Sequence, residues 1–160
     1  MISVKLICVG KMKEKHYVSA FEEYKKRLGA FCKFELVELT EQRLGDNPSE
    51  KEIATALEKE ALEIEKQISS GAAVCAFCIE GDMKSSTELA QSFERWMSAG
   101  KSKLCFIIGG SFGLSPRIKS RAELRLSMSR MTFPHHLARV MATEQIYRAF
   151  TIIEGSKYHK

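Results

Sequence analysis

Proline is scarce in this chain, with 3 in 160 residues, and glycine is modest at 10. That composition excludes a collagen repeat. No fixed-period repeat is present, so solenoids and coiled coils are excluded as well. No apolar run approaches the roughly 18–20 residues that cross a bilayer, and no membrane partner is expected. The 5 cysteines are odd in number. Cys8, Cys32, Cys75, Cys78 and Cys105 fall at irregular spacing and make a poor disulfide framework. Free buried thiols in a reducing compartment are the simpler reading. Cys75-x-x-Cys78 lies in the strand-like run AAVCAFCI, where residues three apart face opposite sides, and no second pair follows. No metal site is expected. No cleavable leader is expected either. MISVKLICVG is short, is interrupted by Lys5 and is followed by no small-residue cleavage site, so it reads as a first strand, with the cytoplasm as the expected location.

What is present is ordinary for a folded chain. Apolar residues make up 44% and charged residues 28%, and the length suits a single domain over residues 1–160 with a core of its own. The net charge of +5 is unevenly spread. Residues 1–80 hold 12 Lys+Arg against 14 Asp+Glu, and residues 81–160 hold 13 against 6. From Lys101 onward the only acids are Glu123, Glu144 and Glu154. Such asymmetry points either to a polyanion, nucleic acid above all, met by the C-terminal half, or to a solvated basic face.

Strand and helix patterns alternate. Ile2–Val9, Lys33–Leu39, Ala73–Ile79, Leu104–Ile108 and Glu123–Met128 read as strands. Tyr17, Phe21, Tyr24 and Leu28 mark one face of a helix that ends at Gly29. Ser49 with Glu52, and Ser85 with Glu88, are capping-box pairs opening helices that stop near Gly71 and at Gly100. Ser115 and Pro116 start a short helix, and a last helix runs from about His136 to Ile153. This order predicts an α/β domain with a mostly parallel sheet and helices on both faces. Ligands in such sheets gather outside the carboxyl ends of strands, which singles out the loops after Ile79, Ile108 and Met128.

Neither a dinucleotide fingerprint nor a P-loop is matched. Gly109-Gly110-Ser111-Phe112-Gly113 does fit the G-x-S-x-G elbow of serine hydrolases, for which Glu123 and His135 or His136 would complete a triad. Only about 50 residues follow Ser111, little room for the rest of such a sheet. The glycine pair could instead bring bare main chain against a flat ligand, or simply make a tight turn. LSMSRMTFPH, at Leu126–His135, is unusually apolar for a loop and could sleeve an aromatic ring, or form a packed crossover. The last helix is apolar on more than one face, as befits a helix central in the core or buried in a second copy. Glu144 and Arg148 are spaced to pair on it. The terminal Tyr158-His159-Lys160 is either frayed or placed to stack on and deprotonate a nucleotide.

Taken together, several segments resemble one family. They are Val9-Gly10-Lys11, Lys26-Arg27-Leu28, Phe106–Ser111, Gly113-Leu114, Leu126-Ser127, Met131–His135, Arg139-Val140, Glu144-Gln145, Tyr147-Arg148-Ala149 and Tyr158-His159-Lys160. The chain is similar along its length to the ribosomal large-subunit RNA methyltransferase H family of the SPOUT class. MTFPH and the terminal YHK are the specific segments. The resemblance implies a C-terminal trefoil knot, a homodimer, and S-adenosylmethionine-dependent methylation of N3 of a pseudouridine in 23S rRNA, within the assembled ribosome. It carries cofactor contacts onto Phe77, Gly109, Met128, Ser129, Arg130, Met131, Thr132 and Phe133. It implies His159 as candidate base, Tyr158 to stack or orient, and Arg139 to stabilise the developing anion, with one subunit's tail reaching the other's cofactor. Asp82 stands where relatives often have lysine, and Phe77 replaces a usual leucine. A non-catalytic RNA-binding protein and a serine hydrolase are the alternatives.

Overall fold

The computed structural model describes residues 1–160. Five strands and five helices alternate: β1 (Ser3–Val9), α1 (Lys15–Leu28), β2 (Lys33–Leu39), α2 (Glu50–Gln67), β3 (Ala73–Met83), α3 (Ser86–Ser98), β4 (Lys103–Ile108), α4 (Pro116–Arg121), β5 (Leu124–Ser127) and α5 (His135–Ile153). Every strand pair is parallel, and the sheet order is β2-β1-β4-β3-β5. This is the α/β architecture that the alternation predicts.

Period-two alternation on the inner strands supplies two cores. Val4, Leu6 and Cys8 of β1, with Leu104, Phe106 and Ile108 of β4, face α1, α3 and α5. Ile7 and Val9, with Cys105 and Ile107, face α2 and α4. The helices are set by their predicted caps. Ser49 and Glu52, and Ser85 and Glu88, exchange side-chain and main-chain bonds in both directions. Ser115 caps α4, with Pro116 in its first turn. No helix is long and apolar enough to cross a membrane.

Two boundaries differ from the sequence pattern. α2 closes at Gln67, because Ile68 is already extended and Gly71, at φ +76°, makes the turn into β3. β3 does not stop at Ile79. It pairs with β5 up to Phe77↔Leu126, skips, and resumes at Asp82↔Leu126 and Met83↔Ser127. The segment read as a loop after the strand is therefore a bulge within it. Gly81 permits it: a Cβ there would lie 2.7 Å from the Arg125 main chain. Cys78, Ile79 and Glu80, within the bulge, border the same cleft as the residues that follow β4.

α5 lies between α1 and α3, which accounts for its apolar residues on more than one side. Its buried set includes Val140, Ile146 and Phe150, together with Arg139 and Thr143. All five cysteines are free thiols, and only Cys78 is not fully buried. Burial pushes Cys8, Cys32 and Cys105 up to about 12, so these thiols are poor nucleophiles. No cluster of three His, Cys, Asp or Glu side chains is arranged to hold a metal ion.

Phe93 joins α3 to both the sheet and α5. Its ring centroid lies 5.5 Å from those of Phe106 and Phe150, and the residue is fully buried. Phe93→Ala should cost about 3–5 kcal/mol, the usual penalty for a large buried ring. Urea unfolding would show this as a lower midpoint with an unchanged m-value.

Candidate functional site

The carboxyl ends of the parallel strands open on one side. There the β3 bulge, the turn after β4 and the loop after β5 surround one cleft of about 690 Å³. Phe77, Gly109, Met128, Ser129, Met131, Thr132 and Phe133 all line it. Of the residues singled out for cofactor contact, Arg130 alone stands apart, exposed to solvent and outside the lining. Within the loop, the Met131 N–H donates to Ser129 Oγ at 3.0 Å, and the Ser129 carbonyl accepts from Ser127 Oγ at 3.0 Å. No backbone–backbone bond of the loops joins residues 129–133. Their main chain borders an apolar cleft with its hydrogen-bonding capacity largely unspent.

The glycine pair is explained by the turn itself. A Cβ on Gly109 would sit 2.2 Å from the Gly113 carbonyl oxygen, and one on Gly110 would sit 2.8 Å from the Glu41 carboxylate. The Gly113 N–H donates to the Gly110 carbonyl at 3.1 Å. Glu41 Oε1 accepts from the Ser111 N–H at 3.0 Å. Glu41, which follows β2 in a segment that reads only as a polar loop, thus braces the turn from across the sheet.

The hydrolase triad does not assemble. Glu123 Oε2 accepts from the Val74 N–H at 2.6 Å, at the start of β3, whereas Ser111 follows the end of β4. A strand of about six residues, roughly 20 Å, separates those ends of the sheet. His135 lines the cleft, and burial, then His136, lowers its pKa. His136 Nδ1 lies 2.9 Å from Glu14 Oε2.

Arg139 is not placed to touch a substrate in this chain. It is 1% exposed. Its Nη1 donates to Glu38 Oε2 at 2.5 Å and its Nη2 to the Gly10 carbonyl at 3.0 Å. Glu38 Oε2 also accepts from the Met12 N–H at 2.9 Å. The guanidinium therefore ties the turn after β1 to α5, and the anion-stabilising contact implied by resemblance is replaced by a structural one.

The tail folds back on α5. Glu144 Oε1 accepts from Arg148 Nη2 at 2.6 Å and from the Tyr158 hydroxyl at 3.0 Å. Arg148 lies over the Tyr158 ring at 4.8 Å, with Nη1 3.1 Å from His159 Nδ1. Tyr158 and His159 line neither this cleft nor a second one of about 530 Å³. The second cleft holds Lys84, Ser85, Ser86, Glu144 and Gln145, and shares Phe77, Leu126 and Met128 with the first. Nothing in the local sequence pattern marks it, because it forms only where α3, α5 and β5 meet.

The positive surface is narrower than the charge count implies. Lys101 pairs with Glu123, Arg117 with Glu65, Lys119 with Glu80, Arg139 with Glu38 and Arg148 with Glu144. Lys103, Arg121, Arg125, Arg130, Lys157 and Lys160 carry the charge that remains outside ion pairs in the last third of the chain.

Two outcomes follow from this geometry. Gly109→Ala drives a Cβ into main chain and should cost about 2–3 kcal/mol. Gly110→Ala meets only a carboxylate that can swing away, and should cost about 1 kcal/mol, the worth of the Ser111 bond. Thermal melts of both variants check the order. Tyr158 is pushed up to about 12, by burial first and then by Glu144. Because its folded pKa is raised, the docked tail's contribution is complete below pH 10 and is lost as pH rises through 12. Ultraviolet titration should show a late-titrating tyrosine signal that disappears in Tyr158→Phe.

Known proteins match this chain along its whole length. The family model described as predicted SPOUT methyltransferase matches residues 2–159. A protein of Bacillus pumilus named ribosomal RNA large subunit methyltransferase H is 45% identical over 99% of this chain and 100% of its own. One of the same name from Streptococcus thermophilus is 47% identical with the same coverage. Among solved structures, a probable methylase family protein from Haemophilus influenzae superposes with a TM-score of 0.53 at 15% identity, covering 98% of this chain and 70% of the other. That likeness speaks to the fold.

Proposed function

The chain belongs to the SPOUT methyltransferase family, and on that premise we propose that it transfers a methyl group from S-adenosylmethionine to N3 of a pseudouridine in 23S rRNA. In this proposal residues 1–160 act as one unit with a C-terminal trefoil knot, as a homodimer in the cytoplasm, on the assembled large subunit within the ribosome. One observation carries it: three strand-end turns converge on a single cleft whose loop main chain is largely unspent. Relatives named as large-subunit rRNA methyltransferases support the choice of RNA.

The residues present fit the cofactor. A cleft of about 690 Å³ lies within the range of small-molecule sites. Phe77, Met128 and Phe133 offer apolar walls to a flat ring, and the main chain of Ser129–Phe133 offers donors and acceptors to its edge. When bound, the cofactor supplies a methyl group on a positively charged sulfur, already activated for transfer. The protein's share is alignment and exclusion of water. Glu41 and the Gly109–Gly113 turn set one wall. Arg139 acts at one remove, by holding the turn after β1 against α5. Tyr158 and His159 meet the acceptor ring. They line neither cleft of their own chain, so a second copy brings the tail of one protomer to the cleft of the other. Lys103, Arg121, Arg125, Arg130, Lys157 and Lys160 meet phosphates.

The test is direct. The protein is incubated with isotope-labelled S-adenosylmethionine and ribosomes lacking the modification, and the labelled nucleotide is mapped by mass spectrometry. A single methyl on one pseudouridine is expected. Absence of label would leave an RNA-binding protein, and label on another base would overturn the assignment of the acceptor.

A further inference from the structure

His159 has two ring nitrogens, and its neighbours decide which carries the proton. The partner of Nδ1 is Arg148 Nη1, at 3.1 Å. A guanidinium has five N–H donors and no acceptor, so Nδ1 must accept with its lone pair. A neutral imidazole bears one proton, which then lies on Nε2. Placing it on Nδ1 would set two N–H groups head to head.

Arg148 is not free to turn away. Its Nε and Nη2 both donate to Glu144 Oε1, at 2.9 and 2.6 Å. Because the guanidinium is planar, those two bonds fix where Nη1 points. The Tyr158 ring lies 4.8 Å from its Cζ, and the Tyr158 hydroxyl donates to the same carboxylate oxygen. Glu144 Oε2 accepts from Gln145 Nε2 at 2.8 Å, and Gln145 Oε1 accepts from Ser86 Oγ at 2.6 Å. A continuous chain of hydrogen bonds thus runs from the first turn of α3 to the imidazole of the tail.

We infer that Arg148 is a positioning residue that fixes His159 with its proton on Nε2, so that His159 meets the acceptor ring as a hydrogen-bond donor and not as its base. The inference rests on the function proposed above. Loss of the N3 proton spreads negative charge onto the two flanking carbonyl oxygens of a uracil-type ring. An Nε2–H donor stabilises that charge, as donors do for developing oxyanions elsewhere. The N3 proton passes to hydroxide from the solvent. The nitrogen pair forms the bond to the methyl carbon, and the pair of the broken carbon–sulfur bond stays on sulfur. His159 ends the step in the protonation state in which it began.

The experiment uses the full chain with three substitutions at His159 and one at Arg148. Gln places an amide N–H near the site of Nε2, Asn places one near Nδ1, and Ala places none. Single-turnover methylation of unmodified ribosomes should keep His159→Gln within about tenfold of wild type, while His159→Asn and His159→Ala fall by about 10²-fold or more. Isothermal titration should give all four proteins the same S-adenosylmethionine affinity, which shows them folded. A His159→Gln rate as low as that of His159→Ala, or His159→Asn as fast as His159→Gln, overturns the donor role. Proton–nitrogen correlation spectra of wild type should show Nε2 protonated and Nδ1 hydrogen-bonded, with the Nδ1 signal moving in Arg148→Leu. A proton on Nδ1 overturns the inference. Failure of wild type to methylate ribosomes would end the proposed function, and the spectra would still fix the tautomer.

Discussion

Two places where main chain approaches main chain more closely than a side chain allows set the shape of the cleft. At one, Gly109 lies against the Gly113 carbonyl, and at the other Gly81 lies against Arg125. The first folds the end of β4 back sharply enough to make a wall. The second lets β3 bulge outward and still recover its pairing with β5. Without the bulge, Cys78–Glu80 would continue along the sheet and the cleft would lose its third side. The parallel direction of all five strands does the rest, because it delivers every one of these ends to the same edge.

Ion pairs link the two halves of the chain. Glutamates of the first half reach across to cations of the second: Glu38 to Arg139, Glu65 to Arg117 and Glu80 to Lys119. The exposed pairs are worth little each. The buried Arg139 differs, since removing Glu38 would strand a charge that is almost wholly out of water. The same pairing explains why a net charge of +5 overstates the positive surface. A count along the chain sees thirteen cations in the second half, but it cannot see which of them the fold has already neutralised.

That contrast marks what was legible in the residues. Strands and helices were, because period-two and period-3.6 patterning and the Ser49/Glu52 and Ser85/Glu88 boxes are local signals. The loops after β4 and β5 were, because a parallel sheet sends its loops to a predictable edge. The β3 bulge was not, since register depends on a partner strand distant in the chain and only Gly81 hints at it. Glu41 and Glu38 carry no local sign of a partner, and their roles come from Ser111, Met12 and Arg139, which are distant in the chain. The burial of Arg139 was not legible for the same reason: a helix apolar on more than one face gives no sign of which side faces the core when α1 and α3 cover both.

The tail shows how a flexible segment acquires a defined chemistry. Terminal residues are held loosely by their own backbone, and only one main-chain donor of the last three residues has a protein acceptor, the Tyr158 N–H to Ser156 Oγ. What fixes the imidazole is a set of side chains mounted on α5, a helix that is itself locked between α1 and α3. Glu144 has to satisfy Arg148, Tyr158 and Gln145 at once, and it lines the second cleft while doing so. The orientation of the last imidazole therefore depends on one carboxylate whose two oxygens serve four donor groups from three side chains.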